Sequence, residues 1–273
     1  MVLGGHRTPP KIKEMDNKKI NIITSFPKSG NTWMRFIIYD LLFNQNQINI
    51  DNSLEIKKKI PDLHNLKISN KQLILDKSLE NKQVFLKTHF GFEKLKMMPI
   101  DKVIIIIRHP FDTLVSLFNY YEINENLRKN ILNYFCSNYT LPNLKSFQFP
   151  SWDQHIDSWI NSGKNYHIVK YQNLIDNFEE EIKFLSIFLN LEISNEKIKF
   201  IKNNTSFENL KKIEIREKDK NLEGFFNDNM KGKKTNFIHK GGYGNYKNFF
   251  NSFEQSQLEH SFKEKLEKYK LYL

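Results

Sequence analysis

The sequence is poor in cysteine and in patterns that bind metal ions. Cys136 is the single cysteine among 273 residues, so the chain cannot form an internal disulfide or a cysteine-based metal cluster. Neither HExxH nor CxxC occurs, and we expect no metal site. A lone thiol fits a reducing compartment, so we expect a cytoplasmic protein in which Cys136 is a small buried or neutral side chain and not a nucleophile.

Long apolar runs are missing as well. The longest, at 103–107, is far short of the roughly 20 residues that a membrane-spanning helix needs, and its length suits a buried strand. Residues 1–18 are polar, contain Pro9 and Pro10, and lack the apolar middle region of a secretory signal. We therefore expect a flexible leader at 1–18, one folded domain at 19–273 and no transmembrane segment.

The overall composition is that of a basic globular protein. Hydrophobic residues make up 39% of the chain and aromatic residues 14%, and the formal net charge is +11. These fractions exclude a disordered chain, and the positive charge favours anionic partners such as nucleic acid, acidic lipid or a phosphorylated ligand. An excess of solvated lysines would give the same sum, so the charge alone does not choose among these partners.

Apolar runs of strand length alternate with segments of helical periodicity. The predicted strands are 19–25, 83–87, 102–107 and 166–170, and the predicted helices are 32–43, 112–121, 152–160, 173–189, 195–202, 207–217 and 254–269. The segment 221–236, rich in Gly, Asn and Lys, is interpreted as a mobile loop. The alternation predicts a single α/β domain, in which a central parallel sheet is flanked by helices and ligands bind beyond the carboxyl ends of the strands.

The first strand leads into a loop suited to binding an anion. Residues 26–33 read FPKSGNTW and precede a helix, which makes a P-loop-like strand–loop–helix unit. Gly30 lets the backbone approach an anion, the nearby amides open a helix N-terminus that favours negative charge, and Lys28 adds a positive charge. An ordinary strand–helix turn has the same outline. The Walker A pattern GxxxxGK[ST] is absent, which counts against ATP or GTP hydrolysis of the usual type.

This loop resembles the YPKSGTTW loop of the cytosolic-type sulfotransferases, enzymes that use PAPS (3′-phosphoadenosine 5′-phosphosulfate). Phe26 stands in place of the Tyr and Asn31 in place of the first Thr. The resemblance spans roughly residues 20–250 and implies transfer of a sulfuryl group from PAPS to a hydroxyl or amine acceptor. It also implies that the loop binds the 5′-phosphosulfate through Lys28, Ser29, Gly30, Asn31, Thr32 and Trp33.

The second strand ends in Lys87-Thr88-His89, which resembles the KTH motif of the family. An acceptor hydroxyl is a poor nucleophile until its proton is removed, and an imidazole with a pKa of about 6.5 is partly or mostly neutral at physiological pH. The resemblance implies that His89 is the general base and that Lys87 contacts the transferring sulfuryl group. Lys28 is the third expected catalytic residue and would stabilise charge on the leaving phosphate.

Arg108 follows the third strand, and Ser116 lies eight residues later, near two turns into the next helix. Arginine presents a rigid fork that matches phosphate oxygens, and Ser116 can face the same way. The family has Arg and Ser at this spacing, and the resemblance implies that both bind the 3′-phosphate of PAPS. The alternative is that Arg108 caps its strand and pairs with Asp112.

Three later segments extend the resemblance. Tyr171 matches the family's Tyr near the adenine, NTSF at 204–207 matches its TSF segment, and HKGGYGNY at 239–246 resembles RKGxxGDW. By this resemblance Thr205 and Phe207 hold the purine, Lys240 and the Gly241 amide meet the 3′-phosphate, and His239 is a further cofactor-binding residue. His239 replaces an arginine of the family, so a fixed charge is lost there.

The sequence does not identify the acceptor, which in this family is a small molecule or a glycan. We expect 119–150 and 221–236 to shape its pocket, and the many aromatic residues of the first segment favour an apolar or aromatic acceptor. The segment 247–256 departs from the KxxxTVxxxE dimer motif of eukaryotic relatives, so the oligomeric state is open.

Three alternatives to an active sulfotransferase stay open at this point. A P-loop-like phosphotransferase (kinase) would use the same loop for ATP, and a sulfotransferase fold could have lost its activity through the change at His239. A basic nucleic-acid-binding protein without enzyme activity has only charge and aromatic content in its favour. We find no RNP-like motif, zinc finger or basic helix, and so expect no nucleic-acid partner.

Overall fold

Four parallel strands form one sheet at the centre of the fold. The computed structural model describes residues 19–64, 83–230, 235–239 and 241–271, so the predicted leader at 1–18 lies outside the described residues. The strands are β1 (Lys19–Ser25), β2 (Gln83–Thr88), β3 (Ile100–Ile107) and β4 (Asn165–Lys170). Their spatial order is β2-β1-β3-β4, with each neighbouring pair parallel. The predicted α/β fold with a parallel sheet is confirmed.

The strand register brings all four carboxyl ends to the same edge of the sheet. Thr24 lies opposite Thr88 across β1 and β2, and Ile107 lies opposite Lys170 across β3 and β4. Since parallel strands in this register finish level with one another, the segments that follow them emerge side by side. The residues that immediately follow the strands are Phe26, His89, Arg108 and Tyr171.

Helices flank the sheet. They are α1 (Asn31–Leu42), α2 (Leu54–Lys59), α3 (Pro110–Tyr120), α4 (Glu125–Asn138), α5 (Pro142–Ser146), α6 (Trp152–Ile160), α7 (Tyr171–Asp176), α8 (Phe178–Leu189), α9 (Asn195–Asn204), α10 (Phe207–Asp219), α11 (Phe225–Met230), α12 (Tyr246–Phe249) and α13 (Ser252–Tyr269), and a 3₁₀ turn lies at Phe92–Lys94. Alternate side chains of β1 and β3 point to opposite faces, as strand geometry requires. Ile22 and Ile105 belong to one buried cluster, and Ile23 and Ile104 belong to the other.

Two predictions about these segments are wrong. The predicted helix 173–189 is two helices, because Asn177 has φ −131° and ψ 42° and interrupts the helical backbone between α7 and α8. The predicted loop 221–236 contains α11, whose first amides donate to the buried carboxylate of Glu217. The polar composition of this segment indicated a loop, but a buried acceptor in the preceding helix, α10, supports a helix there.

A short extended segment that the sequence did not predict borders β2. Asp62 forms an isolated parallel bridge with Lys87. The amide of Lys87 donates to the carbonyl of Pro61 at 2.9 Å, and the amide of Leu63 donates to the carbonyl of Lys87 at 2.8 Å. This pairing places Asp62 beside the residues that end β2.

Candidate active site

A cavity of about 610 Å³ lies beyond the carboxyl ends of the strands. The predicted site residues that line it are Lys28, Gly30, Asn31, Thr32, Trp33, Lys87, His89, Arg108, Ser116, Tyr171, Thr205, Phe207, His239 and Gly241. Ser29 is buried and does not line the cavity, and Lys240 lies outside the described residues. Residues far apart in the sequence therefore meet in one cleft, as the sheet topology predicts.

The loop after β1 turns sharply into α1. Lys28 and Gly30 both have positive φ, 65° and 103°, and a Cβ on Gly30 would lie 2.6 Å from Cδ2 of Tyr171. Only glycine fits both the backbone conformation and the contact at this position. The amide of Ser29 closes the turn by donating to the carbonyl of Phe26 at 3.2 Å. The start of α1, which favours anions, therefore faces the cleft.

The ammonium of Lys28 lies against two aromatic rings. Its Nζ is 3.6 Å from the ring centroid of Phe237 and 4.5 Å from that of Tyr120. Such cation–π contacts hold a cation in place more weakly than a buried ion pair does. The charge of Lys28 thus lies within the cleft, next to the segment near the C-terminus that carries Phe237.

Arg108 joins the first loop to the glycine-rich segment near the C-terminus. Its guanidinium donates to the carbonyl of Lys28 at 3.2 Å and to the carbonyl of Gly242 at 3.1 Å, and it stacks over the ring of Tyr171 at 4.3 Å. Nε of Arg108 is buried and has no hydrogen-bond partner in the described part of the chain. Arg108 therefore lines the cleft with one donor left unsatisfied inside the described protein.

The alternative pairing of Arg108 with Asp112 is wrong. The buried carboxylate of Asp112 accepts instead from the amides of Gly244, at 2.7 Å, and Tyr246, at 3.2 Å. Two backbone donors satisfy both oxygens of this carboxylate, so Arg108 is left for the cleft. Asp112 fixes the glycine-rich segment against α3.

Aromatic rings enclose one end of the cleft. The indole of Trp33 donates to Oγ1 of Thr205 at 3.4 Å, and its ring meets Tyr171 edge-on at 5.6 Å. A Cβ on Gly241 would lie 2.6 Å from the ring of Phe207, and Gly241 has φ 63°. Flat, aromatic walls with few polar groups suit a planar base.

The ring of His89 is half-buried at the end of β2. Nδ1 is 2.7 Å from the carbonyl oxygen of Ser25, and because a carbonyl only accepts, Nδ1 donates and the lone pair is on Nε2. Burial, and then the nearby Lys87 ammonium, hold the pKa of His89 well below its usual range, although Asp62 acts in the opposite direction. The ring is therefore neutral at physiological pH and able to accept a proton.

Residues 235–239 cross the cleft, and we call this segment the strap. The fully buried carboxylate of Glu214, in α10, accepts from the amides of Phe237 and Ile238 at 2.5 Å and 2.9 Å. At the other side, the amide group of Asn119 lies 3.4 Å from Nδ1 of His239. The strap is thus fixed between α10 and α3, and it carries the ring that contacts Lys28.

The cleft also contains residues that the sequence did not point to. His64 lies 5.2 Å from the ring of Phe149, which in turn lies 5.7 Å from the ring of His89. Asp62 and Phe237 line the same cleft. No local pattern marks these residues, because each reaches the site through a contact with a distant element. The aromatic residues of 119–150 that line the cleft are Tyr120, Tyr121, Phe147 and Phe149.

Across the ranges that the structure describes, every helix is too short or too polar to cross a membrane. The same ranges hold no group of three or more His, Cys, Asp or Glu side chains arranged to bind a metal ion.

Together, the parallel sheet, the sharp glycine turn into α1 and the cleft beyond the strand ends are typical of α/β enzymes that bind phosphorylated ligands. A family model, described as the sulfotransferase domain, matches residues 19–270. The chain belongs to this family of PAPS-dependent sulfotransferases, and it is an enzyme of that class. This membership leaves the phosphotransferase alternative without support.

Known sulfotransferases resemble the chain at moderate identity. Sulfotransferase 1B1 of Mus musculus is 26% identical over 90% of this chain and 82% of its own length. Cytosolic sulfotransferase 14 of Arabidopsis thaliana is 28% identical over 76% of this chain, which spans 65% of that protein. Among solved structures, mouse sulfotransferase SULT7A1 complexed with PAP shares the fold with a TM-score of 0.58 at 21% identity, covering 92% of this chain and 84% of that one.

Proposed function

We propose that this enzyme moves the sulfuryl group of PAPS to a hydroxyl or amine of a small-molecule acceptor, with His89 as the general base. The observation that carries the proposal is the neutral His89 ring. Its Nδ1 is occupied by the Ser25 carbonyl at 2.7 Å, and it shares a cleft with Lys28 and Arg108. A base beside two cations suits attack on an anionic donor.

PAPS would lie along the cleft, with its 5′ side and its purine at opposite ends. Its 5′ side would lie at the N-terminus of α1 with Lys28, and its purine between the aromatic walls formed by Trp33 and Phe207. The 3′-phosphate would meet Arg108 and Ser116. Both side chains line the cleft, and a guanidinium fork matches phosphate oxygens, which supports this assignment. Lys240 is proposed here from the sequence resemblance alone.

In the transfer, the acceptor oxygen forms a bond to sulfur as the bond between sulfur and the bridging phosphate oxygen breaks. The acceptor proton passes to Nε2 of His89, and the electron pair of the broken bond stays on PAP, the 3′,5′-bisphosphate product. Lys28 would stabilise charge on the bridging oxygen, and Lys87 would contact the sulfuryl oxygens. Charge stabilisation of this kind and positioning are the two large contributions to such a reaction.

The acceptor would lie next to the aromatic rings that border His89. Phe149 is 5.7 Å from the His89 ring, and Tyr120 and Phe147 line the same cleft. These rings favour an apolar or aromatic acceptor body. We propose the cytoplasm as its location, because Cys136 is a free buried thiol and two Arabidopsis relatives are named cytosolic sulfotransferases.

Ligand-induced thermal stabilisation tests the proposal. PAP at about 100 times its Kd should raise Tm by roughly 5–10 °C, because about 2.7 kcal/mol of binding free energy is added to the folded state. A PAPS-dependent screen over a mixed acceptor library, with mass-spectrometric detection of the added sulfuryl group, should then yield product.

Three results would contradict the proposal. Stabilisation by ATP–Mg²⁺ and not by PAP would indicate a phosphotransferase. Salt-dependent binding to random DNA without PAP affinity would indicate a nucleic-acid-binding protein. Stabilisation by PAP without transfer to any acceptor would indicate a fold that has lost its activity.

Glu214→Gln should weaken PAP binding by roughly tenfold, because one of the two amide hydrogen bonds to the strap is lost and a bond to a charged group is worth about 1.5–3 kcal/mol. Glu217→Gln is the matched control. Glu217 lies one turn away on α10 and accepts from the amides of Ser53 and Phe226. The Glu217→Gln substitution should therefore lower Tm with little effect on the Kd of PAP. Calorimetric Kd values that change equally in both variants would show that the strap has no specific part in binding.

A further inference from the structure

The ammonium of Lys87 forms an ion pair with a carboxylate that no sequence motif announced. Nζ lies 2.6 Å from Oδ2 of Asp62, and the two side chains are 8% and 15% exposed. The other carboxylate oxygen, Oδ1, accepts from the amide of His64 at 3.0 Å. Backbone pairing across Pro61 and Leu63 fixes the segment to β2. Both oxygens of the carboxylate therefore have a partner, and the carboxylate is fixed beside the end of β2.

A buried ion pair of this kind is a weak source of stability, because the cost of removing both charges from water offsets their attraction. This pair also lines the cleft beside His89. Because the pair contributes little to folding and lies in the cleft beside His89, a functional role is favoured.

A second buried cation, Arg35, acts against the charge of Lys87. Arg35, 1% exposed in α1, donates to the carbonyl of Ile60 at 2.5 Å. Burial first, and then Arg35, lower the pKa of Lys87, whereas Asp62 raises it. Burial would raise the pKa of Asp62, but Lys87 and His89 outweigh it and hold that pKa at about 2, so the carboxylate is ionised.

We propose that Asp62 is a positioning residue for Lys87: it fixes the ammonium at the end of β2 and keeps it charged, so that Lys87 meets the transferring sulfuryl group beside His89. This inference rests on the proposed function. An ammonium has three N–H donors, and one of them is used by Asp62. The other two have no partner among the described residues, which leaves them for the oxygens of the sulfuryl group.

Asp62→Asn removes the negative charge while keeping the shape of the side chain. We expect kcat to fall on the order of 10-fold to 100-fold, as it does when a donor to a developing charge is disturbed, with KM for PAPS and Kd for PAP unchanged. Because Asp62 raises the pKa of Lys87, the variant should lose the ammonium at a lower pH. The alkaline limb of the pH profile of kcat should therefore move to lower pH in Asp62→Asn.

Two further variants separate positioning from a structural role. In the double variant Asp62→Asn, Lys87→Arg, the cation cannot deprotonate in this range, so the alkaline limb should disappear. Asp157→Asn is the matched control, because Asp157 forms an ion pair with Lys268 at 2.7 Å outside the cleft and its loss should leave both kcat and the pH profile unchanged. Competitive acetic anhydride labelling of Lys87 across pH reads its titration without relying on activity.

The inference is overturned if Asp62→Asn keeps the wild-type kcat and pH profile, or if the labelling of Lys87 does not shift. It is also overturned if the variant loses Tm and PAP affinity alone while kcat is unchanged, since that is the result of a structural role. Failure of the proposed function looks different, because the wild-type enzyme would then show neither PAP binding nor transfer from PAPS.

Discussion

Replacing His89 with asparagine should lower kcat by about 10²–10⁴-fold, the usual contribution of a general base, while PAP binds as before. The asparagine amide can donate to the Ser25 carbonyl in place of Nδ1, which lies 2.7 Å from that oxygen in the native protein. The variant therefore keeps the hydrogen bond and removes only the group that takes the proton. His89→Ala removes both and should be no more active.

His155→Gln is the matched control for this result. His155 is fully buried, and its Nε2 lies 2.9 Å from Oγ1 of Thr24, but it does not line the cleft. Its replacement should lower Tm and leave most of kcat. A His89→Asn enzyme with normal turnover would exclude His89 as the base, and equal losses in both variants would point to damage to the fold.

The pH profile provides a second test of His89. Its pKa in the folded protein is lowered well below the usual range by burial and by Lys87, so the ring is already deprotonated at pH values where a free imidazole, with a pKa of about 6.5, would gain a proton. We expect the profile of kcat/KM for PAPS to stay level through that pH region and to fall only at lower pH. A limb at the free imidazole value would contradict the neutral ring.

Replacing Arg108 with alanine should raise the Kd of PAP by roughly 100-fold, since two hydrogen bonds to a charged group are worth about 1.5–3 kcal/mol each and part of that is recovered by water. The loss has two sources. The guanidinium is the proposed donor to the 3′-phosphate, and it also ties the carbonyls of Lys28 and Gly242 together. Arg108→Lys keeps the positive charge but lacks the planar fork of the guanidinium. Its Kd for PAP should therefore lie between those of the wild-type protein and Arg108→Ala.

Arg128→Ala is the matched control for Arg108. Arg128 also pairs with protein groups, donating to Glu254 and to the carbonyl of Phe249, but it lies outside the cleft. Its loss should lower Tm and leave PAP affinity unchanged. Isothermal calorimetry measures both Kd values, and an unaltered affinity in Arg108→Ala would refute the 3′-phosphate assignment.

Much of the fold could be predicted because it rests on local signals. The apolar run of β3 and the turn residues around Gly30 mark the strand and the loop whatever the rest of the chain does. The order β2-β1-β3-β4 carries no such signal, since it depends on which strands the crossing helices bring together. The helix α11 was missed for a similar reason, because the acceptor that supports its first amides, Glu217, comes from a different element.

The buried carboxylates show the same limit within the site. In the sequence, Asp112, Glu214 and Glu217 resemble charged residues on solvated helix faces, and the alternative for Asp112 was a pair with Arg108. In the folded protein each accepts from backbone amides of a distant segment. Burial makes an unpaired carboxylate costly, so these groups bind the strap and the loops that supply the missing donors.

The sequence by itself determined the family, the parallel α/β fold and many of the side chains that line the cleft, because motif spacing and strand order along the chain are local and linear properties. Only the tertiary structure decided the protonation states and hydrogen-bond partners of those side chains. The tautomer of His89 depends on the Ser25 carbonyl, and the charge on Lys87 depends on Asp62. Arg108 is not paired with Asp112, because that carboxylate accepts from the backbone of the glycine-rich segment. Each of these states is set by burial and by a partner from another element. Folding brings that partner close in space, and sequence spacing does not reveal it.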